Sequence, residues 1–119
     1  MQINRDEIIW AAGFFDGEGC AGAYKNRRSM IPMISVSQVD REVLDRFQAA
    51  VGGLGKVRGP YINGQATKLF QFRTTKCEAV KAIVEMLIPF LSTIKRTQCQ
   101  TMLEKYEDYY STFTDKRFK

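Results

Sequence analysis

The stretch AGFFDGEG, residues 12–19, most constrains what this chain of 119 residues can fold into. It ends an apolar run of helical period that starts with a capping-box pattern at Asn4, so the sequence predicts a first helix over residues 5–16. Gly13 and Gly17 lie one turn apart on that helix. Their face lacks side chains and would let a second backbone approach closely. The alternative is that Gly17 only ends the helix as a C-cap.

Two carboxylates, Asp16 and Glu18, stand among these glycines at the helix end. The C-terminal end of a helix carries partial negative charge and favours Lys or Arg, so both residues oppose the helix dipole. Such local conflicts are typical of functional sites. A hard divalent cation bound by Glu18 and a backbone carbonyl such as that of Gly17 would relieve this one. The alternative is a solvated turn without a ligand.

The rest of the chain alternates paired extended runs with helices. Strict apolar–polar alternation and turn signals indicate the strands, and apolar stripes between capping residues and glycines indicate the helices. The predicted elements are two runs within residues 20–38, a helix from Asp40 to the Gly52-Gly53 stop, strands over 54–62 and 67–74 joined at Asn63-Gly64, and helices over 76–86 and 93–110 separated at Pro89. We therefore expect an α+β fold of order αββαββαα, one domain over residues 1–119, with an antiparallel sheet and helices on one face.

The other face of this sheet must look outward. Its side chains are hydrogen-bonding and cationic, the kinds that read base edges and hold phosphates, and a two-stranded ribbon fits a DNA major groove. The residues assigned to it are Tyr24, Asn26, Arg28, Ser35, Ser37, Arg58, Gln71 and Arg73. The alternative is that any one-sided sheet has a polar outer face.

Composition narrows the function further. Eighteen Lys and Arg against thirteen Asp and Glu give a net charge of +5, which favours polyanionic partners. The absence of His excludes Ser-His-Asp, Cys-His and His-ligated metal chemistry. Three widely spaced cysteines, no signal peptide and no membrane-spanning run predict an intracellular, reducing compartment, either cytoplasm or an organelle matrix. We expect no membrane and no small-molecule cofactor.

Residues 11–19 resemble the LAGLIDADG motif of homing endonucleases, and the predicted order of elements over nearly the whole chain is similar to that fold. The glycines, the apolar pair and both acidic positions agree with the motif. Ala11 replaces the usual leucine, and Glu18 stands where Asp is common. Only one copy of the motif is present, which resembles the single-motif members that act as homodimers.

This resemblance implies a site-specific, double-strand DNA endonuclease with a saddle-shaped sheet and a long, near-palindromic target. It implies Mg²⁺ as cofactor, with Mn²⁺ or Ca²⁺ able to substitute for binding. The motif helices of two chains would pack together, so the resemblance assigns the dimer interface to Ile9, Gly13, Asp16 and Gly17.

The same resemblance implies the residues of the catalytic centre. Each chain would contribute Glu18 to the metal, together with the Gly17 carbonyl, and the nearest matches to the family's surrounding polar and basic side chains are Gln38 and Lys95. The alternatives are a hydrogen bond at the start of a helix for Gln38 and a solvated helix start for Lys95.

Two other functions fit the same sequence. The first keeps the fold without the cleavage: a non-catalytic LAGLIDADG-like DNA-binding module or an RNA maturase, a cofactor of intron splicing. The second is a basic α+β interaction protein in which Asp16 and Glu18 form only a solvated turn. A monomeric chain would favour the second.

Overall fold

The structure, a computed structural model, describes residues 3–62 and 68–118, with side chains described up to Thr112. Its elements are, in order, α1 (Arg5–Glu18), β1 (Gly19–Asn26), β2 (Ser29–Gln38), α2 (Arg41–Ala50), β3 (Lys56–Ile62), β4 (Lys68–Thr74), α3 (Cys77–Leu87), a 3-10 turn (Ile88–Phe90) and α4 (Thr93–Phe118). The expected order αββαββαα is confirmed. The predicted hairpin turn at Asn63-Gly64 lies outside the described residues.

The four strands form one open antiparallel sheet in the order β1-β2-β4-β3. β1 pairs along its whole length with β2, from Ser29 to Val36, whereas β4 pairs with β2 only from Ile34 to Gln38. Side chains at paired positions share a face, so Ile34, Val36 and Phe72 all point to the side on which the helices pack. The opposite face is open to solvent.

Local signals in the sequence set the helix starts and stops. The Asn4 side chain accepts a hydrogen bond from the Glu7 amide at 3.2 Å, and that of Asp40 accepts one from the Glu42 amide at 2.9 Å. Each therefore satisfies an amide that the first helical turn leaves unpaired. After α2 the chain turns at Gly52, with φ 81°, and Gly53, with φ 80°, the left-handed region that favours glycine.

Two helices run further than the sequence pattern predicts. α1 continues through Gly17 to Glu18, so the interpretation of Gly17 as its C-cap is wrong; the cap residue is Gly19. α4 continues to Phe118 instead of ending at residue 110. The last turn of α1 is held by the buried ring of Phe15. α4 bonds to the β1–β2 hairpin through Lys105 and Tyr109, which lie within the predicted residues.

Aromatic rings join the helices to the sheet in the core. Phe47 of α2 meets Phe72 of β4 edge to face, with ring centroids 5.0 Å apart, and lies 6.1 Å from Phe15 of α1. All three side chains are fully buried. Each such pair contributes about 0.5–1.5 kcal/mol beyond its area burial. The core therefore fixes the motif helix against the sheet.

Candidate active site and nucleic-acid interface

The motif helix passes directly into the sheet. Glu18 is the last residue of α1 and Gly19 is the first residue of β1, so no loop separates them. A Cβ at Gly19 would overlap the fully buried ring of Phe15, with three ring atoms closer than 3.0 Å. The last glycine of the motif is therefore required by close packing of the backbone on that ring, which sequence analysis had not assigned.

Asp16 caps another helix of the same chain. Its carboxylate oxygens accept hydrogen bonds from the Ser92 amide at 3.0 and 3.1 Å and from the Ser92 hydroxyl at 3.0 Å. Ser92 precedes α4, and its carbonyl accepts the Arg96 amide. The negative charge thus lies at the positive end of the α4 dipole, which resolves the conflict predicted for Asp16. The carboxylate proposed for the dimer interface is engaged within the chain.

Lys95 lies at the C-terminal end of α1. Its ammonium group donates to the Gly19 carbonyl at 2.6 Å and lies 5.7 Å from the centre of the Phe15 ring. The last turn of α1 contains no basic residue of its own, so Lys95 supplies the cation that this helix end favours. The interpretation of Lys95 as a solvated helix start is wrong, because it is half-buried against the motif.

Glu18 is exposed beside this cation, and among the described residues its carboxylate has no hydrogen-bond or ion-pair partner. Gln38 is half-buried at the end of β2, two residues beyond Val36, which pairs with Gly19. The register therefore brings Glu18, Gln38 and Lys95 to the same end of the sheet. Within the described residues, the Gln38 side chain makes no hydrogen bond to the helix that follows.

The donor set fits half of a hard-cation site. Glu18 offers a free carboxylate, and the Gly17 carbonyl lies in the last turn of α1, where helix carbonyls lack partners in the following turn. Oxygen ligands of this kind suit Mg²⁺. Residues 3–62 and 68–112 contain no group of three or more His, Cys, Asp or Glu side chains placed to hold a metal. At this end of the sheet, Glu18 is the free carboxylate that the described residues of one chain offer.

The Cys99 thiol lies beneath this site and is fully buried. Burial raises its pKa to about 11; Lys95 lowers the pKa and Asp16 raises it by smaller amounts. The thiol is neutral near pH 7, so Cys99 is neither a nucleophile nor a metal ligand in this state.

One face of α1 is uncovered in the chain. Ile9 is 40% exposed, and among the described residues a Cβ at Gly13 or Gly17 would meet no atom within 4 Å beyond the backbone of its own helix. The opposite face is buried in the core through Ile8, Ala11, Ala12 and Phe15. The glycines therefore form a flat strip open to another molecule.

The outward face of the sheet carries the polar residues that the alternation predicted. Pairing places side chains in rows across the strands, and opposed side chains share the face. The rows are Cys20, Ser35, Arg73 and Lys56; Ser37, Gln71 and Arg58; Tyr24 and Ile31; and Asn26 and Ser29. Tyr24, Asn26, Ser37, Arg58, Gln71 and Arg73 thus lie where we expected them.

Two of the residues assigned to the outward face differ from this expectation in their exposure or their location. Ser35 is on the outward face but only 8% exposed, because the neighbouring rows cover it. Arg28 lies in the two-residue turn between β1 and β2, because pairing ends at Asn26 and Ser29. Its side chain is exposed at the end of the hairpin.

Cations converge at one side of this face. An open depression of about 700 Å³ is lined by Lys56, Arg58, Gln71, Arg73 and Lys76, among others. The Arg73 guanidinium donates to the Tyr24 hydroxyl at 3.2 Å, which fixes its direction across the sheet. Sequence analysis missed Lys56 and Lys76. Lys56 and Arg58 lie two positions apart on β3 and therefore share a face, so the same period of two predicts Lys56 on the outward face.

Comparison with known proteins identifies the family. The family model described as a LAGLIDADG-like domain matches residues 10–97. The chain therefore belongs to the LAGLIDADG-like family. No curated protein sequence matches it. Among the described residues no helix is long and apolar enough to cross a membrane.

Solved structures show the same fold. The homing endonuclease I-CvuI in complex with its target in the presence of Ca is similar with a TM-score of 0.73 and 23% identity, over 91% of this chain and 70% of that one. The group I intron-encoded homing endonuclease I-CeuI complexed with DNA gives a TM-score of 0.62 at 17% identity, over 93% and 58%. I-AabMI bound to uncleaved DNA gives 0.67 at 20%, over 88% and 36%. The chain thus has the LAGLIDADG homing endonuclease fold.

Proposed function

We propose that this protein is a homodimeric, divalent-metal-dependent endonuclease that cuts double-stranded DNA at a long, near-palindromic site. One observation carries the proposal: the open glycine strip of α1 ends at Glu18, a free carboxylate beside Lys95. Packing two chains along this strip brings their two Glu18 residues together. The same contact then forms the dimer and places its two acidic centres side by side.

The pair of chains would provide what a single chain lacks. Asp16 is occupied by Ser92, so Glu18 and the Gly17 carbonyl are the donors that each chain would offer to Mg²⁺. Mn²⁺ or Ca²⁺ would substitute for binding. When bound, the metal would supply Lewis acidity at the scissile phosphate and lower the pKa of a coordinated water. Duplex DNA has two strands to cut, and a two-fold dimer presents two equivalent centres.

Lys95 and Gln38 would assist at each centre. The Lys95 ammonium is held by the Gly19 carbonyl, next to Glu18, so its charge would stabilise the negative charge that develops on the phosphate. The Gln38 amide, at the same end of the sheet, would hydrogen-bond the phosphate or the attacking water. This division of roles requires no histidine.

The outward sheet face would bind the duplex. I-CvuI and I-CeuI were solved in complex with a target and with DNA, respectively. In this chain the outward face of the sheet carries Arg73, Arg58 and Lys56. A strand of eight residues covers about 26 Å, somewhat less than the roughly 34 Å of one duplex turn. A dimer would therefore cover about two turns.

The first experiment incubates the purified protein with a randomised duplex library, with Mg²⁺ and separately with Ca²⁺, and sequences the cleaved and the bound DNA. We expect one near-palindromic site, cut with Mg²⁺ and only bound with Ca²⁺. Bound but uncut DNA under both conditions would contradict the nuclease and support the non-catalytic module. No duplex binding, with retention of structured RNA, would support the maturase.

The centre is tested by Glu18→Gln, with Glu85→Gln as the matched control on an exposed position of α3. Glu18→Gln removes the charge of the ligand with little change in shape, so we expect cleavage to fall at least a hundredfold while binding in Ca²⁺ changes less than threefold. Glu85→Gln should cut normally. Full cleavage by Glu18→Gln would refute the assignment of the metal site.

The DNA face is tested by Arg73→Ala, with Arg41→Ala on the helix side as control. A homodimer would lose one phosphate contact at each half-site, so target binding should weaken at least about tenfold and the salt slope should fall by about two. An unchanged slope would place Arg73 away from the DNA.

A further inference from the structure

We propose that helix α4 sets the position of the turn of the β1–β2 hairpin, residues 26–29, so that the turn meets the phosphate backbone at the outer end of each half-site. Tyr109, Tyr110 and Lys105 are then positioning residues for DNA binding. The inference rests on the proposed function, because it assumes a duplex on the outward face of the sheet. The turn is called the distal turn below.

The distal turn has an unusual residue at its first position. Arg27 has φ 58°, the left-handed region, in a two-residue hairpin loop where Gly or Asn is usual. Arg28 follows it, and both side chains are exposed. The chain thus uses a strained backbone to present two adjacent guanidinium groups, and strained positions of this kind cluster at functional sites.

Helix α4 holds this hairpin through backbone atoms. The Tyr109 hydroxyl donates to the Arg28 carbonyl at 2.6 Å, and the Lys105 ammonium donates to the Ala23 carbonyl at 3.0 Å. The Tyr110 hydroxyl accepts from the Met30 amide at 3.3 Å and donates to the Met30 carbonyl at 3.4 Å. Three side chains of one helix therefore fix both strands of the hairpin.

Among the described residues, the sheet leaves the first residues of β2 without a strand on the side away from β1. β4 pairs with β2 only from Ile34 onward, so the backbone of Met30 lies beyond the end of that ladder. A strand edge in this position exposes unpaired amide and carbonyl groups. The Tyr110 hydroxyl bonds to both groups of Met30, in the place that a neighbouring strand would take. Without it the hairpin would extend from the sheet with one free edge.

The contacts between α4 and the hairpin do not use the side chains of Arg27 and Arg28. Lys25 is directed toward α4, where its ammonium lies 6.0 Å from the centre of the Tyr109 ring, and the Tyr109 and Tyr110 rings meet edge to face at 5.0 Å. Among the described residues no hydrogen bond or ion pair uses the side chains of Arg27 or Arg28. α4 therefore holds the turn from the helix side, and the two guanidinium groups remain free for a partner.

The length of β1 gives the expected distance along the DNA between the cut and the contact of the distal turn. β1 starts next to Glu18 and reaches Asn26 seven residues later, about 23 Å at ~3.3 Å per residue. At roughly 34 Å per ten base pairs, this is about seven base pairs from the cut. Exposed arginines at this distance suit phosphate oxygens, which position a protein on the duplex.

The test compares binding of two duplexes in Ca²⁺: the full target selected above, and a target shortened by about four base pairs at each outer end. The variants are Tyr109→Phe/Tyr110→Phe and Arg27→Gly, and the control is Tyr106→Phe, on the same helix without a hairpin bond. We expect wild-type protein to bind the shortened duplex about tenfold more weakly than the full one, which corresponds to about a threefold loss for the distal contact at each of the two ends.

Both variants should lose about five- to tenfold on the full duplex and less than twofold on the shortened one, because the shortened duplex already lacks the distal contact. Arg27→Gly relieves the strained backbone, so its melting temperature should stay equal or rise while its affinity falls. Tyr106→Phe should behave as wild type on both duplexes.

Equal losses on both duplexes would overturn the inference and give α4 a general structural role. An unchanged affinity of Arg27→Gly on the full duplex would overturn it as well. Failure of the wild-type protein to bind any duplex would overturn the proposed function and this inference together. These results are distinct, since only the last one affects the wild-type protein.

Discussion

Replacing Gly19 by alanine tests the close packing at the junction of α1 and β1. The new Cβ would overlap the Phe15 ring, which is fully buried and packs on Phe47, so the ring has no free space to enter. Overpacking of this kind costs about 1–3 kcal/mol. With an unfolding entropy of about 0.25 kcal/mol/K for a chain of this size, a cost of about 2 kcal/mol lowers the melting temperature by about 8 °C.

Thermal unfolding followed by circular dichroism measures this effect. The matched control is Gly22→Ala on the same strand, where a Cβ meets no atom within 4 Å, so its melting temperature should stay within about 2 °C of wild type. In a Phe15→Leu background the ring is absent, and Gly19→Ala should then cost at least about 1 kcal/mol less than in wild type. A melting temperature of Gly19→Ala equal to that of the control, or no coupling to Phe15, would refute the reasoning.

Three further predictions concern the motif and its surroundings. Gly13→Val should convert the proposed dimer to monomer in sedimentation velocity while the monomer stays folded, because among the described residues the new Cβ meets no atom beyond the backbone of its own helix within 4 Å; a persisting dimer would place the interface elsewhere. Asp16→Ala should lower the melting temperature by about 4 °C through loss of the α4 cap, worth about 1 kcal/mol, and an unchanged value would contradict that role. Burial raises the pKa of the Cys99 thiol from 9.0 to about 11, so its contribution to stability is complete below pH 9 and is lost as the pH rises to 11. The melting temperature of Cys99→Ala should therefore fall less than that of wild type between pH 8 and 11; parallel curves would contradict the shift.

The order of elements could be predicted because the signals are local. Caps at Asn4 and Asp40, alternation along residues 33–37 and the stop at Gly52 each depend on a few neighbouring residues, and each is confirmed. The outward face followed from the period of two along the strands. The sequence did not reveal that Ser35 is covered, since its accessibility depends on the rows beside it.

The environment of the motif depends on residues far apart in the chain. Asp16 bonds to Ser92, and Lys95 to Gly19, across 76 positions in both cases. Neither contact produces a periodic pattern in the sequence. The sequence therefore indicated only an electrostatic conflict at Asp16, and Lys95 was assigned only from the resemblance to the family. The bonds of Tyr109 and Tyr110 to the β1–β2 hairpin likewise join residues 81 and 80 positions apart.

The direct junction of Glu18 with Gly19 has a consequence for how targets can change over time. The carboxylate and the sheet are one rigid piece, clamped by the Phe15 ring at their joint. Residues such as Gln71 and Arg58 can be exchanged on the open face without moving that joint. In the proposed nuclease, the recognised bases could therefore change over generations while the distance from those bases to the cut would be preserved.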